Sequence, residues 1–193
     1  MELVGDAVVG RLAVAAVIAA LTAAFAPFSI PLPGLPAPIS FQVFGVYFAG
    51  LLLGPVWGGF AMALYLLVGV AGAPVFSNGG AGLGYLLGPT GGYLIGFLLA
   101  AVLIGAIVHR STAPRRLSEV SVTLQAVALV AGLALIYGVA VPWLVVVGGY
   151  PAAEAATVGA LVFLPGDAIK IVATLGLVRA GALASEQSAG ATL

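Results

Sequence analysis

The chain has 193 residues, 63% of them hydrophobic and 6% charged, with 28 Gly and 12 Pro and a mean hydropathy of +1.26. Soluble domains carry about 25% charged residues, so an ordinary wetted surface is excluded, and the apolar content excludes disorder. Six Lys and Arg balance six Asp and Glu, which excludes a nucleic-acid footprint, while the absence of Cys and a lone histidine, His109, leave no basis for a metal cluster or bound cofactor.

Uncharged apolar runs long enough to cross a bilayer recur along the chain, which predicts a single all-α polytopic transmembrane domain over 1–193. The first span is expected from about Arg11 to Phe25 or Phe28 and is rich in alanine. Arg11, this run and Ala24-Phe25-Ala26 also look like a signal peptide. The adjoining Pro27 and the odd number of spans left after cleavage argue against removal. Pro27, Pro31, Pro33, Pro36 and Pro38 then forbid a continuous helix. A second span is expected at about Phe41–Leu53, a break at Gly54-Pro55, and a third span at about Val56–Val70.

Next comes a Gly-rich stretch, Ala71–Gly91. It lacks Gly-Lys-Ser/Thr, and Lys170 is the chain's only lysine, so it is not a phosphate-binding loop. Phe76, Tyr85, Leu86 and Leu87 make it too apolar for a solvated loop. It reads as an external re-entrant lid with Asn78, Tyr85 and Tyr93 as polar or stacking contacts. The fourth span is expected at about Gly92–Val108, the fifth at Val120–Val147 and the sixth at Ala153–Val178. Arg11, His109-Arg110, Arg115-Arg116 and Arg179 all fall on one side of six crossings. The positive-inside rule therefore places both termini in the cytoplasm.

Asp167 and Lys170 are the two charges expected in the interior of a span, away from its ends. Each costs roughly 2.5–3.5 kcal/mol at a helix centre on insertion scales. Their i,i+3 spacing lets them neutralise one another on one helix face. Pro165-Gly166 just before them loosens the helix, which favours a polar ligand site or ion pathway over a purely structural pair. Two small-residue stripes mark the first span, Ala15-Ala19-Ala23 and Ala16-Ala20-Ala24, and such stripes permit close helix packing. Catalysis lacks support, because Ser40 and Ser77 have no histidine at a matching depth and Asp167 has no second intramembrane carboxylate.

Several blocks together resemble one family. Pro36-Ala37-Pro38-Ile39-Ser40-Phe41-Gln42 leads into Ala49-Gly50-Leu51-Leu52-Leu53-Gly54, followed by Gly72-Ala73-Pro74-Val75-Phe76, Gly88-Pro89-Thr90-Gly91-Gly92-Tyr93 and Gly166-Asp167-x-x-Lys170. In that order they look like BioY proteins, the biotin-specific S components of energy-coupling factor (ECF) transporters. The resemblance implies a six-helix, multi-pass protein of the bacterial cytoplasmic membrane that is not an enzyme. Such a protein captures biotin from outside and passes it inward with a transmembrane T component and two cytoplasmic ATPases. It further implies that Asp167 and Lys170 bind biotin. Given biotin's chemistry, Gln42 and Asn78 are then candidates for further amide hydrogen bonds, and Tyr85 and Tyr93 for walls around its thioether ring. Docking on the T component would use an Ala-x-x-x-Ala motif, by position Ala15 and Ala19. The family often carries a basic residue near Ala81, absent here, which raises the load on Lys170. An S component for another vitamin, a self-sufficient transporter relaying protons through Asp167 and Lys170, and homo-oligomerisation all stay open.

Overall fold

A computed structural model describes residues 5–190. Helix α1 (Asp6–Phe25) leads into a two-stranded antiparallel ribbon, β1 (Ser29–Ile30) and β2 (Ile39–Ser40), in which Ser29 faces Ser40 and Ile30 faces Ile39. Then follow α2 (Val43–Val70), a single turn α3 (Leu83–Leu86), α4 (Gly91–His109), α5 (Val122–Val146), α6 (Ala152–Gly159) and α7 (Leu164–Gly190). Among the described residues, five helical segments are long and apolar enough to cross a membrane: Val8–Phe25, Val43–Val70, Gly91–His109, Val122–Val146 and Ala152–Gly181. The chain is a multi-pass membrane protein. Its outward side chains, such as Val17, Val127, Leu177 and Val172, suit lipid, whose tails satisfy apolar surface but no backbone polar group.

The segment Val43–Val70 is not one rod. Gly54 has φ 75° and ψ −175°, a conformation only glycine adopts freely, and Pro55 follows without an N–H. Gln42, just before the segment, donates to the Tyr65 hydroxyl near its other end. In a straight helix, 23 residues would separate these two by about 35 Å. The chain therefore folds back at Gly54, and arms 43–53 and 55–70 run side by side in opposite directions.

That corner needs a substitute hydrogen bond. Pro55 cannot donate to the Leu51 carbonyl four residues earlier, and His109 Nε2 takes that place at 2.9 Å. Nδ1 of the same ring accepts from the Arg115 backbone N–H at 2.9 Å. These roles specify a neutral imidazole protonated at Nε2. His109 is 1% exposed, so it pins the α2 corner, the end of α4 and the following loop together.

Close packing explains the helix order. A Cβ on Gly92 would lie 2.8 Å from the Trp143 ring, and one on Gly96 would lie 3.0 Å from Ile136 Cα. The Gly92/Gly96 stripe thus lets α4 lie directly on α5. On α1 it is Ala15 and Ala19, 0% and 6% exposed, that join the core, and α1 packs on α2. Ala16, Ala20 and Ala24 face outward.

The final expected span is interrupted. α6 stops at Gly159, a tight turn occupies Leu161–Phe163, and α7 starts at Leu164. Pro165 in a continuous helix would clash with the Leu161 carbonyl and remove its donor, whereas in the first turn of a new helix it costs nothing. Asp167 and Lys170 consequently sit in the opening turns of α7 rather than midway along an unbroken span.

Candidate ligand-binding site

The two ionisable residues meet because α7 begins where it does. Lys170 Nζ donates to Asp167 Oδ1 at 3.0 Å, and Tyr137 of α5 donates its hydroxyl to Oδ2. Asp167 is 3% exposed and Lys170 8%. A buried carboxylate in this position is tolerable only because a cation and a second donor share it. Thr174 returns its hydroxyl to the Lys170 carbonyl at 2.8 Å, within the same helix.

A second polar cluster lies across the cavity, where the ribbon and the Gly-rich segment converge. The Gln42 side-chain Oε1 accepts from the Ser40 hydroxyl at 2.8 Å and from the Ser77 hydroxyl at 2.6 Å. Its Nε2 donates to the Tyr65 hydroxyl and, at 3.4 Å, to the Val75 carbonyl. Tyr65 also donates to Val75 at 3.0 Å. An amide offers two acceptor sites and two donors, so the protein itself consumes all four. Gln42 therefore ties the lid to α2 and has nothing left to offer a ligand.

The lid is held by an aromatic peg. Phe76 is fully buried, edge-on to Tyr65 at 5.6 Å and stacked on Tyr85 at 5.3 Å. Its ring lies over Gly69, where a Cβ would collide with it. The Gly82 N–H adds a bond to the Gly69 carbonyl at 2.7 Å, and the Tyr85 hydroxyl donates to the Ser77 carbonyl at 3.1 Å. Asn78, at φ 57°, is exposed and does not line the cavity. Its left-handed backbone makes the turn that brings Ser77 inward, a conformation Asn tolerates better than most residues.

Between the two clusters lies a cavity of about 650 Å³, counting the space at its mouth. Leu94, Phe97, Leu133 and Ile136 form apolar walls, and Tyr85, Tyr93, Asp167 and Lys170 also face it. The Tyr93 hydroxyl is occupied, donating to the Gly159 carbonyl at 2.6 Å. The break before α7 frees that carbonyl, because the Phe163 N–H turns to Ala160 instead. Tyr93 thus presents its ring, set edge-on to Tyr137 at 6.4 Å.

The structure gathers five of the six expected contacts, Gln42, Tyr85, Tyr93, Asp167 and Lys170, around one cavity. It adds residues that pattern reading overlooked: Tyr137, Ser40 and Ser77 with their hydrogen bonds, and Ala37–Ile39 from the proline-rich segment. Tyr137 could have been noticed as the lone tyrosine inside the fifth span. The unspent polar capacity concentrates on Lys170, which has two N–H groups beyond the one given to Asp167, and on the remaining lone pairs of Asp167. Ala15 and Ala19 lie elsewhere, inside the α1–α2 contact.

A helical membrane protein with a small-molecule cavity whose polar groups converge on one buried ion pair belongs to the solute-binding class of membrane proteins. Comparison with known proteins agrees. Residues 3–186 match the BioY family, and the chain belongs to it. It is 44% identical over 131 residues to "Probable biotin transporter BioY" of Lysinibacillus sphaericus, covering 68% of this chain and 62% of that one. It is 40% identical over 174 residues to "Biotin transporter BioY" of Rhodobacter capsulatus, covering 85% and 86%. The crystal structure of the S-component for biotin from an ECF-type ABC transporter superposes with a TM-score of 0.81 at 29% identity, covering 92% of this chain and 93% of that one.

Proposed function

We propose that this chain captures biotin at the outer face of a bacterial cytoplasmic membrane as the S component of an ECF-type transporter, and that its role is binding rather than catalysis. The observation that carries the reading is the buried Asp167–Lys170–Tyr137 cluster lining one cavity with the apolar and aromatic side chains around it. Biotin presents a ureido ring with two N–H donors and a carbonyl, together with a carboxylate. Asp167 accepts from N–H groups, Lys170 donates to oxygen, and the apolar walls cover the ring and chain between.

The site lies at the end of the bundle opposite His109, Arg110, Arg115 and Arg116. With those basic residues in the cytoplasm, the cavity opens outward and six crossings leave both termini inside. Partners complete the cycle: a transmembrane T component and two cytoplasmic ATPases. The docking face on α1 is the outward stripe Ala16, Ala20 and Ala24, since Ala15 and Ala19 are enclosed. Small side chains on an exposed membrane helix admit a second helix closely.

The test is biotin binding to the purified protein in detergent, alongside a panel of other vitamins, and uptake in cells with and without the T component and ATPases. Biotin binding with uptake that depends on the partners supports the proposal. Preference for another vitamin makes the chain a sibling S component. Uptake that persists without the partners and stops with an uncoupler makes it a secondary transporter.

A further inference from the structure

Nearly every hydroxyl that lines the cavity is already spent on the protein. Ser40 and Ser77 donate to Gln42, Tyr85 to the Ser77 carbonyl, Tyr93 to the Gly159 carbonyl and Tyr137 to Asp167. Thr90 also lines the cavity, and its hydroxyl makes no cap bond at the start of α4. Among the described residues it is the one cavity hydroxyl to which the protein gives no partner.

The backbone explains why that hydroxyl is free. Gly88-Pro89-Thr90-Gly91 is a turn closed by the Gly91 N–H on the Gly88 carbonyl at 3.0 Å. Thr90, at φ −89° and ψ −1°, has the conformation of the third residue of a type I turn, which suits Pro just before it and Gly just after. A threonine that caps a helix instead takes an extended backbone and accepts from N–H groups of the first turn. Here the Tyr93 N–H goes to the Thr90 carbonyl at 3.1 Å, and the side chain is released. The Trp143 indole of α5 donates to the Gly88 carbonyl at 2.9 Å, which fastens the turn to the bundle. Thr90, Leu94 and Phe97 line the cavity together at the i, i+4, i+7 spacing of one helix face. The hydroxyl therefore heads an otherwise apolar stripe.

Thr90 is set apart from the ion pair. Tyr93, one turn further along α4, meets Tyr137 edge-on at 6.4 Å, and Tyr137 is the partner of Asp167. Asp167 and Lys170 together suit a group that has both N–H donors and an oxygen acceptor, as a ureido ring has. A molecule that lays such a ring on the pair carries the acid at the end of its valerate chain to another part of the cavity. We infer that the Thr90 hydroxyl donates to the carboxylate of the bound molecule and so selects for an acid at its tail. The inference rests on the reading of this chain as a biotin-capture protein. Thr90 is half-buried, so an anion beside it keeps part of its hydration and needs no second cation. That fits a chain whose only lysine, Lys170, is engaged by Asp167.

The experiment measures the affinity of the full-length protein in detergent for biotin and for an analogue with a methyl group in place of the carboxylate. Thr90→Val keeps the side chain's shape and removes its hydroxyl. It weakens biotin binding roughly tenfold and leaves the affinity for the analogue at the wild-type value, while Thr90→Ser recovers most of the loss. Should Thr90→Val fail to fold, Thr90→Ala gives the same comparison. Unchanged biotin affinity overturns the inference. An equal loss for biotin and analogue also overturns it, since the hydroxyl would then act on the ring or on the fold. Wild-type protein that binds the two molecules equally well overturns it too. If the wild-type protein binds no biotin, the capture reading fails and this inference falls with it. Normal wild-type binding that is insensitive to Thr90 removes this inference alone.

Discussion

Tyr137 in α5 donates its hydroxyl to the Asp167 carboxylate in α7, a contact between residues 30 apart in sequence that holds two helices at one polar point. Through it α5 holds one carboxylate oxygen of Asp167 while Lys170 holds the other. A hydrogen bond to a buried charge contributes about 1.5–3 kcal/mol. Tyr137→Phe should therefore weaken biotin binding between about tenfold and a hundredfold, measured by titration of the purified protein, while its ring still packs on Tyr93. Wild-type affinity would remove Tyr137 from the site.

Breaking the ion pair should cost more than losing that hydroxyl. Asp167→Asn leaves the Lys170 ammonium buried without its counter-charge, and Lys170→Met does the same to the carboxylate. An uncompensated buried charge costs about 3–5 kcal/mol. Each variant is expected to insert in the membrane and to bind biotin at least tenfold more weakly. Wild-type binding in both would overturn the assignment of the site.

On α1 two alanine stripes make opposite predictions. Ala19→Leu pushes three extra carbons into the α1–α2 contact and should destabilise the protein by about 1–3 kcal/mol, read as a lower melting temperature. Ala20→Leu, on the outward face, should leave melting and biotin affinity unchanged but reduce uptake and co-purification with the T component. Unchanged complex formation would make the outward stripe a lipid-facing surface.

The lid depends on a missing side chain. Gly69→Val should drive Phe76 from its seat and release the segment carrying Ser77 and Tyr85. Faster dissociation of labelled biotin is the expected outcome, with the ion pair intact. A dissociation rate equal to wild type would show that the peg does not hold the lid closed.

His109 should matter for stability alone. His109→Leu orphans the Leu51 carbonyl at the α2 corner, a loss of about 1–3 kcal/mol. A lower melting temperature with unchanged biotin affinity is expected, since the ring lies at the other end of the bundle. Altered affinity would couple that end to the site.

Sequence patterns disclosed the spans and the ion pair for different reasons. Lipid forces each crossing to satisfy its backbone internally, so apolar length alone marks a helix, and Gly54-Pro55 marks the fold-back because only that dipeptide interrupts the run. Asp167 and Lys170 stood out because charge inside lipid is costly and their spacing is helical. The ribbon at Ser29–Ile30 and Ile39–Ser40 was hidden, because two-residue strands among prolines carry no periodicity.

Composition and order by themselves determined a multi-pass helical protein and an acid–base pair inside its last apolar stretch, whereas the break that puts the pair at the start of α7 came from the structure. Only the tertiary structure decided that Tyr137 completes that pair, that the ligand-like amide of Gln42 is already consumed, and that Asn78 points away. It also chose between the alanine stripes of α1, since alanines recur on several faces and only the packing of α2 selects which is covered. The division has one physical cause. The cost of burying charge or breaking a helix in lipid is local and is written residue by residue. Saturation of a hydrogen-bonding group depends on which distant residues the fold brings beside it.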